Sequence, residues 1–330
     1  VASTPLLSIG LFVYNGERFI RKALDSLIGQ TFRDFELIIS DNASTDRTAD
    51  ICLEYAARDP RIRFFQAQKN MGAGWNVRRV YFLATGKYFK WAACDDFCEP
   101  SFLEKCVEAL ERDRSVVVAH SKTRVVDEEG RVVEEYEWPM ATNSPHALTR
   151  FRDLLLNDHL CFQIFGVMRM DALKKLPPQG SYVNSDGVLL AQLGLLGKFY
   201  EVPERLFIST RHSGQSTRTL PVRVKVKKRR FRLTNRHGTL PSPEWWDPTQ
   251  TKAITFPEWR QLREYFLSVW NAPLGVGERL GGVLLLIPWI AKHFRRMMKD
   301  LLIAADQVLY NLQMARVTAG ELTTAEEKSA

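Results

Sequence analysis

The run YFKWAACDDFCEP, residues 88–100, carries two adjacent carboxylates, Asp95 and Asp96. The aromatic and apolar residues before them read as a buried strand. Two negative charges side by side at the end of a buried strand repel each other, so something must offset the repulsion. A hard divalent cation, Mg2+ or Mn2+, does so: it binds carboxylate oxygens and usually keeps substrate phosphates as its other ligands. Adjacent strand residues point to opposite faces. One carboxylate is therefore expected to hold the metal while the other reaches a different group, such as a ribose hydroxyl. A third acid, Asp41 in LIISDNASTD, follows another apolar run. Alone, it also reads as turn chemistry, in which Asp, Asn and Ser close short loops. A fourth, Asp186, precedes GVLLAQLGLLG and by itself reads as a helix N-cap. The chain has no GxxxxGK[ST] loop and no GxGxxG after its first strand, so a bound diphosphate must be neutralised mostly by the metal.

These acids need elements to hold them. LLSIGLFVY (6–14), FELIIS (35–40), IRFFQA (62–67) and YFKWAA (88–93) read as buried strands. RFIRKALDSLIGQ (18–30), the segment from Asp46 to Pro60, and GWNVRRVYFLATG (74–86) carry helical spacing. Asp46 is the expected N-cap of the second helix and Gly86 the expected stop of the third. Four strands alternating with helices predict an α/β fold, a doubly wound, mostly parallel sheet flanked by helices. Ligands bind such sheets at the carboxyl ends of the strands, where Asp41, Asp95 and Asp96 fall. Further helices are predicted at 100–113, 144–157 and 186–197, strands at 115–121, 161–169 and 199–210, and a hairpin around Glu129-Gly130. The α/β domain is placed at residues 1–212, with a basic loop and a mainly helical C-terminal extension at 213–330.

The 330 residues suit one large α/β domain with an appendage, or two domains, and 45% hydrophobic with 25% charged residues is ordinary globular composition, which argues against disorder. Five scattered cysteines argue against a disulfide framework and for a reducing compartment, and the spacing of Cys94, Cys98 and Cys106 matches no common zinc site. The start lacks a positively charged leader, and the apolar run VLLLIPWIA (283–291) is too short to span a bilayer. A cytoplasmic protein is expected, peripheral on the inner face of a membrane in one reading.

The net charge is +8, yet the stretch from Arg205 to Pro243 holds eleven Lys/Arg and no Asp or Glu, so the rest of the chain is net acidic. Within it, PVRVKVKKRRFRLTNRHG (221–238) has three readings: a nucleic-acid patch, a surface for anionic lipid, or a solvated loop. Phe231 is the sole aromatic in that segment, which disfavours base stacking. ERLGGVLLLIPWIAKHFRRMMKDLLIAAD (278–306) has the composition of an amphipathic helix lying in a membrane interface, or of one packed on the core or on another subunit.

Three blocks, SIGLFVYNGERFIRKALDSLIGQTFRDFELIISDNASTDRT, NMGAGWN…ATGKYFKWAACDDFCEP and NSDGVLLAQLGLLGKFYEVPERLFISTRHSGQS, together resemble the successive motifs of family 2 glycosyltransferases over residues 5–216. These are inverting enzymes with a nucleotide-sugar-binding GT-A fold. The resemblance implies that Phe12, Val13, Tyr14 and Glu17 line the nucleotide pocket and that Asp41 bonds the base or ribose. It places Asn70 and Asn76 in a segment closing over the nucleotide, Asp95 near the ribose, and Asp96 and His212 at the metal. Asp186 falls at the catalytic base. Ala93 stands where many relatives carry an Asp, Ser185 where they often carry Glu, and Phe12 where proline is frequent. The implied activity is metal-dependent transfer of a sugar from a nucleotide-diphosphate sugar to a hydroxyl on a glycan or lipid-linked acceptor, in surface polysaccharide or glycan synthesis. A catalytically degenerate sugar-nucleotide binder is the alternative.

Overall fold

β1 (Leu7–Val13) and β2 (Phe35–Asp41) are apolar on alternate and consecutive positions alike, because both of their faces are covered. The computed structural model describes residues 4–215, 243–249 and 256–327. β3 (Ile62–Gln66) and β4 (Tyr88–Ala93) complete a parallel set in the order β3-β2-β1-β4. The connecting helices are α1 (Ile20–Ile28), α2 (Thr48–Arg58) and α3 (Ala73–Phe82).

Beyond β4 the sheet becomes mixed. β5 (Phe97–Cys98), β6 (Val116–Val126), β7 (Val132–Tyr136), β8 (Val167–Arg169) and β9 (Lys198–Thr210) extend it in the order β4-β8-β6-β9-β5, with β7 paired to β6. β8 runs antiparallel to both β4 and β6, whereas β6 and β9 are parallel. The expectation of strand over 161–169 is corrected: Phe162–Phe165 is a 3-10 helix and only the last three residues are extended. The Lys90 ammonium donates to the carbonyl of Phe165, which holds that helix over the upper part of β4. The chain therefore enters the sheet from the carboxyl end of β4 and descends against it.

The remaining helices are α4 (Phe102–Arg112), α5 (Ala147–Leu156), α6 (Met170–Leu173), α7 (Ser185–Leu196), α8 (Pro243–Trp246), α9 (Pro257–Asn271), α10 (Val276–Leu284) and α11 (Leu286–Glu327). The segment 278–306, read as one helix, is two, broken between Leu284 and Leu286. α3 ends at Phe82, short of Gly86, whose N–H is taken by the Ser8 hydroxyl at 2.8 Å. Asp46 accepts from the Thr48 N–H at 3.0 Å, one residue outside the assigned cap of α2. The basic segment 221–238 lies outside the described residues.

Strand alternation divides the core. Tyr88 and Ala92 face α1, α2 and α4, while Phe89 and Trp91 face α3, α5, α7 and the C-terminal helices. Tyr265, Val269, Leu286 and Trp289 are buried in that second cluster. Gly10 permits α3 to lie close on β1, since a Cβ there would stand 2.7 Å from Val80.

Candidate active site

The carboxyl ends of the parallel strands open into a cavity of about 980 Å3. Phe12, Val13 and Tyr14 leave β1 along its wall, with Tyr14 half exposed. The chain turns at Asn15, which has φ 52°, and the Asn15 carboxamide accepts from the Thr45 N–H at 2.8 Å. This ties the β1–α1 loop to the β2–α2 loop. Glu17 belongs to the same tie: its carboxylate accepts from the Arg47 N–H at 3.1 Å, and it is not among the residues lining the cavity.

Asp41 is fully buried below the cavity floor. Its carboxylate accepts from Gln66 at 3.0 Å and from both the N–H and the hydroxyl of Ser44. The residue that reaches the cavity at this point is its neighbour Asn42, which donates to Asn70 at 3.0 Å and accepts from the Met71 N–H at 2.9 Å. Asn76 accepts from the Ser40 hydroxyl at 2.6 Å and donates to the carbonyls of Val13 and Ser40 at 3.1 and 3.0 Å. Asn42, Asn70 and Asn76 thus lock the strand ends to the start of α3, and all three line the cavity.

Asp95 and Asp96 follow β4 and meet the end of β9. Asp96 accepts from the Thr210 N–H at 3.0 Å. His212, buried against the Phe19 ring, donates through Nε2 to Asp95 at 2.9 Å. Burial and the neighbouring Asp95 charge push the Asp96 carboxyl up to about 8, against hydrogen bonds from Thr210 and Ser209 and the nearby Lys90 ammonium. Lys90 itself is buried beneath the pair, over the rings of Phe102 and Phe207. An acid held that high marks negative charge that the protein has not neutralised, and a divalent cation fits the deficit. Among the described residues no group of three or more His, Cys, Asp and Glu gathers to hold a metal. His212 is engaged with Asp95 behind the wall rather than free to ligate, so Asp96 is the carboxylate that would hold a cation, with a diphosphate and water as its other ligands.

Asp186 faces the same cavity from the first turn of α7. Its carboxylate accepts from the Gly187 N–H at 2.9 Å. Burial raises its proton affinity, and the backbone N–H groups and His159 only partly counter this. α7 is apolar around its whole circumference and is buried nearly throughout, so its N-terminus is rigidly placed. Asn184, with φ 63°, starts the helix and donates to Gln261 of α9 at 3.0 Å. Gln179 donates to the Ser185 hydroxyl at 3.2 Å. The fold therefore gathers Phe12, Val13, Tyr14, Asn70, Asn76, Asp95, Asp96 and Asp186 around one cavity. Glu17, Asp41 and His212 stand behind its wall.

Sequence reasoning missed Asn42, Lys90, Gln179, the apolar wall of Leu160, Phe162, Ile164 and Phe165, and the pair Trp245–Trp246. A lysine inside the apolar run YFKWAA was a signal for Lys90, since a charge there must find partners. The others carry no local signal.

The family model for glycosyl transferase family 2 matches residues 8–177. The chain belongs to glycosyltransferase family 2. Among curated relatives, it is 36% identical over 137 residues to the chondroitin synthase of Escherichia coli, a match covering 41% of this chain and 20% of that one. It is 27% identical over 174 residues to an uncharacterised glycosyltransferase of Methanocaldococcus jannaschii, covering 52% and 58% respectively. The chain thus spans less than two thirds of the length of these relatives. TarS of S. aureus, solved with UDP-GlcNAc, superimposes with a TM-score of 0.59 at 17% identity over 86% of this chain and 72% of that one. The architecture of this family 2 member is thus the GT-A fold, a mixed sheet flanked by helices with a helical C-terminal region.

Proposed function

We propose that the protein is an inverting glycosyltransferase that moves a sugar from a nucleotide-diphosphate sugar to a hydroxyl acceptor, dependent on Mg2+ or Mn2+. The observation that carries this reading is that Asp186 and the Asp95–Asp96 corner, remote in sequence, face one cavity. Phe12, Val13 and Tyr14, with Asn42 and Asn70, form the wall that takes the nucleoside. Asp96, beside the Asp95–His212 pair, is the protein's part of the cation site. When bound, the cation stabilises the negative charge that builds on the departing diphosphate. Asp186 takes the proton from the acceptor hydroxyl, and its raised proton affinity suits a group that must accept one. Attack opposite the leaving group inverts the anomeric centre.

The relatives named as chondroitin synthase support a role in surface polysaccharide or glycan synthesis, on a glycan or lipid-linked acceptor. In this reading residues 1–212 are the catalytic unit and residues 213–330 its extension. Burial of Tyr265 and Trp289 in one cluster with Phe89 and Trp91 makes the extension a support for the site. An anionic membrane surface is a further part of the proposal. α10 and α11 expose Val276, Leu280, Leu284, Ile287, Phe294 and Met298 beside exposed Arg295 and Arg296. Among the described residues no helix is long and apolar enough to cross a membrane.

A thermal-shift screen against UDP-, GDP- and dTDP-sugars, with and without manganese, tests the donor reading. Stabilisation by a nucleotide sugar that grows with manganese is expected, and no response to any of them would remove it. Binding without transfer to any glycan would point to a degenerate relative, the reading that Ala93 and Ser185 favour.

A further inference from the structure

The cavity lining combines polar and apolar residues. Asn42, Asn70, Asn76 and the Asp95–Asp96 corner occupy the donor side. The rest of the lining includes Leu160, Phe162, Ile164 and Phe165, and also Trp245, Trp246 and Pro248. At about 980 Å3 the space is at the upper end for a single small ligand, which leaves room for a second reactant. Trp245, Trp246 and Pro248 lie outside the residues 8–177 matched by the family model.

We propose that the Trp245–Trp246 corner is the subsite for a pyranose acceptor. The two indoles meet edge to face, with centroids 4.5 Å apart and planes at 89°, so they present two perpendicular surfaces at one corner. A pyranose has an apolar C–H face that suits a ring surface and a rim of hydroxyls that need hydrogen-bond partners. Both kinds of partner are here. Among the described residues, the buried Trp246 indole N–H has no acceptor and the buried Gln179 side-chain oxygen has no donor. The amide of Gln179 is oriented by its bond to the Ser185 hydroxyl, next to Asp186, so its oxygen is the end left free. A buried donor and a buried acceptor without partners are costly, and both belong to residues lining the cavity, where a polyhydroxylated ligand supplies hydroxyls of both kinds. Among the described residues, the cation that lines the cavity, Arg211, is paired with Glu134 at 2.7 Å.

The corner is fixed by backbone packing rather than by chance contact. Gly72, with φ 85°, has no side chain where a Cβ would stand 2.6 Å from the Trp246 carbonyl oxygen and 2.7 Å from Pro248. The glycine lets the segment around α8 close onto the start of α3. This places an element of the C-terminal region beside the donor loop at Asn70, and the subsite therefore rests on the donor reading above.

The test uses the full chain saturated with UDP or GDP and manganese. It is titrated with methyl glycosides of hexoses, N-acetylhexosamines and hexuronic acids, read by indole fluorescence and saturation-transfer NMR. At least one glycoside binds. Trp245→Ala and Trp246→Ala each weaken it about tenfold, and Trp246→Phe, which keeps a ring but loses the N–H, weakens it less. Nucleotide affinity stays unchanged in all three. Melting curves check folding, and if the alanine variants unfold, Trp245→Phe and Trp246→Phe carry the comparison. Absence of binding by every glycoside, or equal loss of glycoside and nucleotide affinity, overturns the proposal; the latter would make the segment a cover for the donor. A protein that binds no nucleotide fails earlier, at the donor reading, before any glycoside is added.

Discussion

The side-chain amide of Asn184 donates to the Gln261 oxygen at 3.0 Å, which ties the residue that starts α7 to a helix more than seventy positions further along the chain. Asn184 sits in a left-handed conformation with φ 63°, tolerable for Asn but held in place by that partner. Asp186 is two residues on. Gln261→Ala is expected to lower kcat about tenfold or more while leaving nucleotide affinity within twofold, because small displacements of a catalytic group are costly. Steady-state kinetics beside calorimetry on the same variant make the check. Equal losses in both would mean that the contact supports the whole fold rather than the position of Asp186.

Asp186→Ala is expected to keep donor binding and to reduce transfer by about 10²–10⁴-fold, the usual range for a general base. Burial raises the Asp186 proton affinity. A base works only when deprotonated, so the acid limb of the rate profile should lie above the ordinary aspartate value of about 3.9. A profile flat down to that value would remove Asp186 as the base.

Asp96 carries its signature into stability. Its folded proton affinity is raised to about 8 by burial and by Asp95. A group raised in this way contributes stability that is complete below its unfolded value and is lost as pH rises through the folded one. In the absence of divalent ions, the protein should therefore lose thermal stability between about pH 4 and pH 8. Asp96→Asn should melt higher than wild type at the upper end of that window and lose the response to manganese. Melting curves across pH, with and without the ion, distinguish this from a carboxylate that was never strained.

Glu36 makes the opposite case at the far end of the sheet. Burial works against its charge, but bonds from Ser8 at 2.6 Å, the Thr85 hydroxyl at 2.6 Å and Arg63 at 2.5 Å prevail and lower its proton affinity. A depressed carboxyl contributes stability above its unfolded value and loses it as pH falls through the folded one. Glu36→Gln should cost about 1–3 kcal/mol at neutral pH and progressively less in acid. Urea titrations at neutral and acid pH show whether the difference closes.

Ile287, Phe294, Met298 and Leu301 recur at seven, four and three residues, so they form one stripe on α11, with Arg295 to one side. Flotation with phosphatidylglycerol vesicles should recover the protein at low salt, phosphatidylcholine vesicles should recover less, and high salt should weaken both. Phe294→Glu should lower recovery without changing nucleotide binding. Indifference to anionic vesicles would leave this face without the partner assigned to it.

The first four strands were legible because each is a short apolar run bounded by polar turns, a pattern that follows from covering both sheet faces. The segment 161–169 was not, because a short apolar run serves a buried 3-10 turn as well as a strand and carries no periodicity to separate them. The adjacency of Asp95 and Asp96 announced an electrostatic problem that any fold would have to answer. Which acids reach the cavity is a different matter. Asp41 and Asn42 are neighbours, yet the carboxylate is consumed by Ser44 and Gln66 while the amide lines the wall.

Local order along the chain, apolar spacing and the placing of acids after strands determined that this is an α/β protein with a charged rim. Those features depend on each residue and its near neighbours, so they survive in the linear text. The meeting of Asp186 with Asp95 and Asp96, the support of Asn184 by Gln261 and the arrival of Trp245 and Trp246 at the cavity depend on packing between distant segments. Only the closed core, where Tyr265 and Trp289 share one cluster with Phe89 and Trp91, decides those distances.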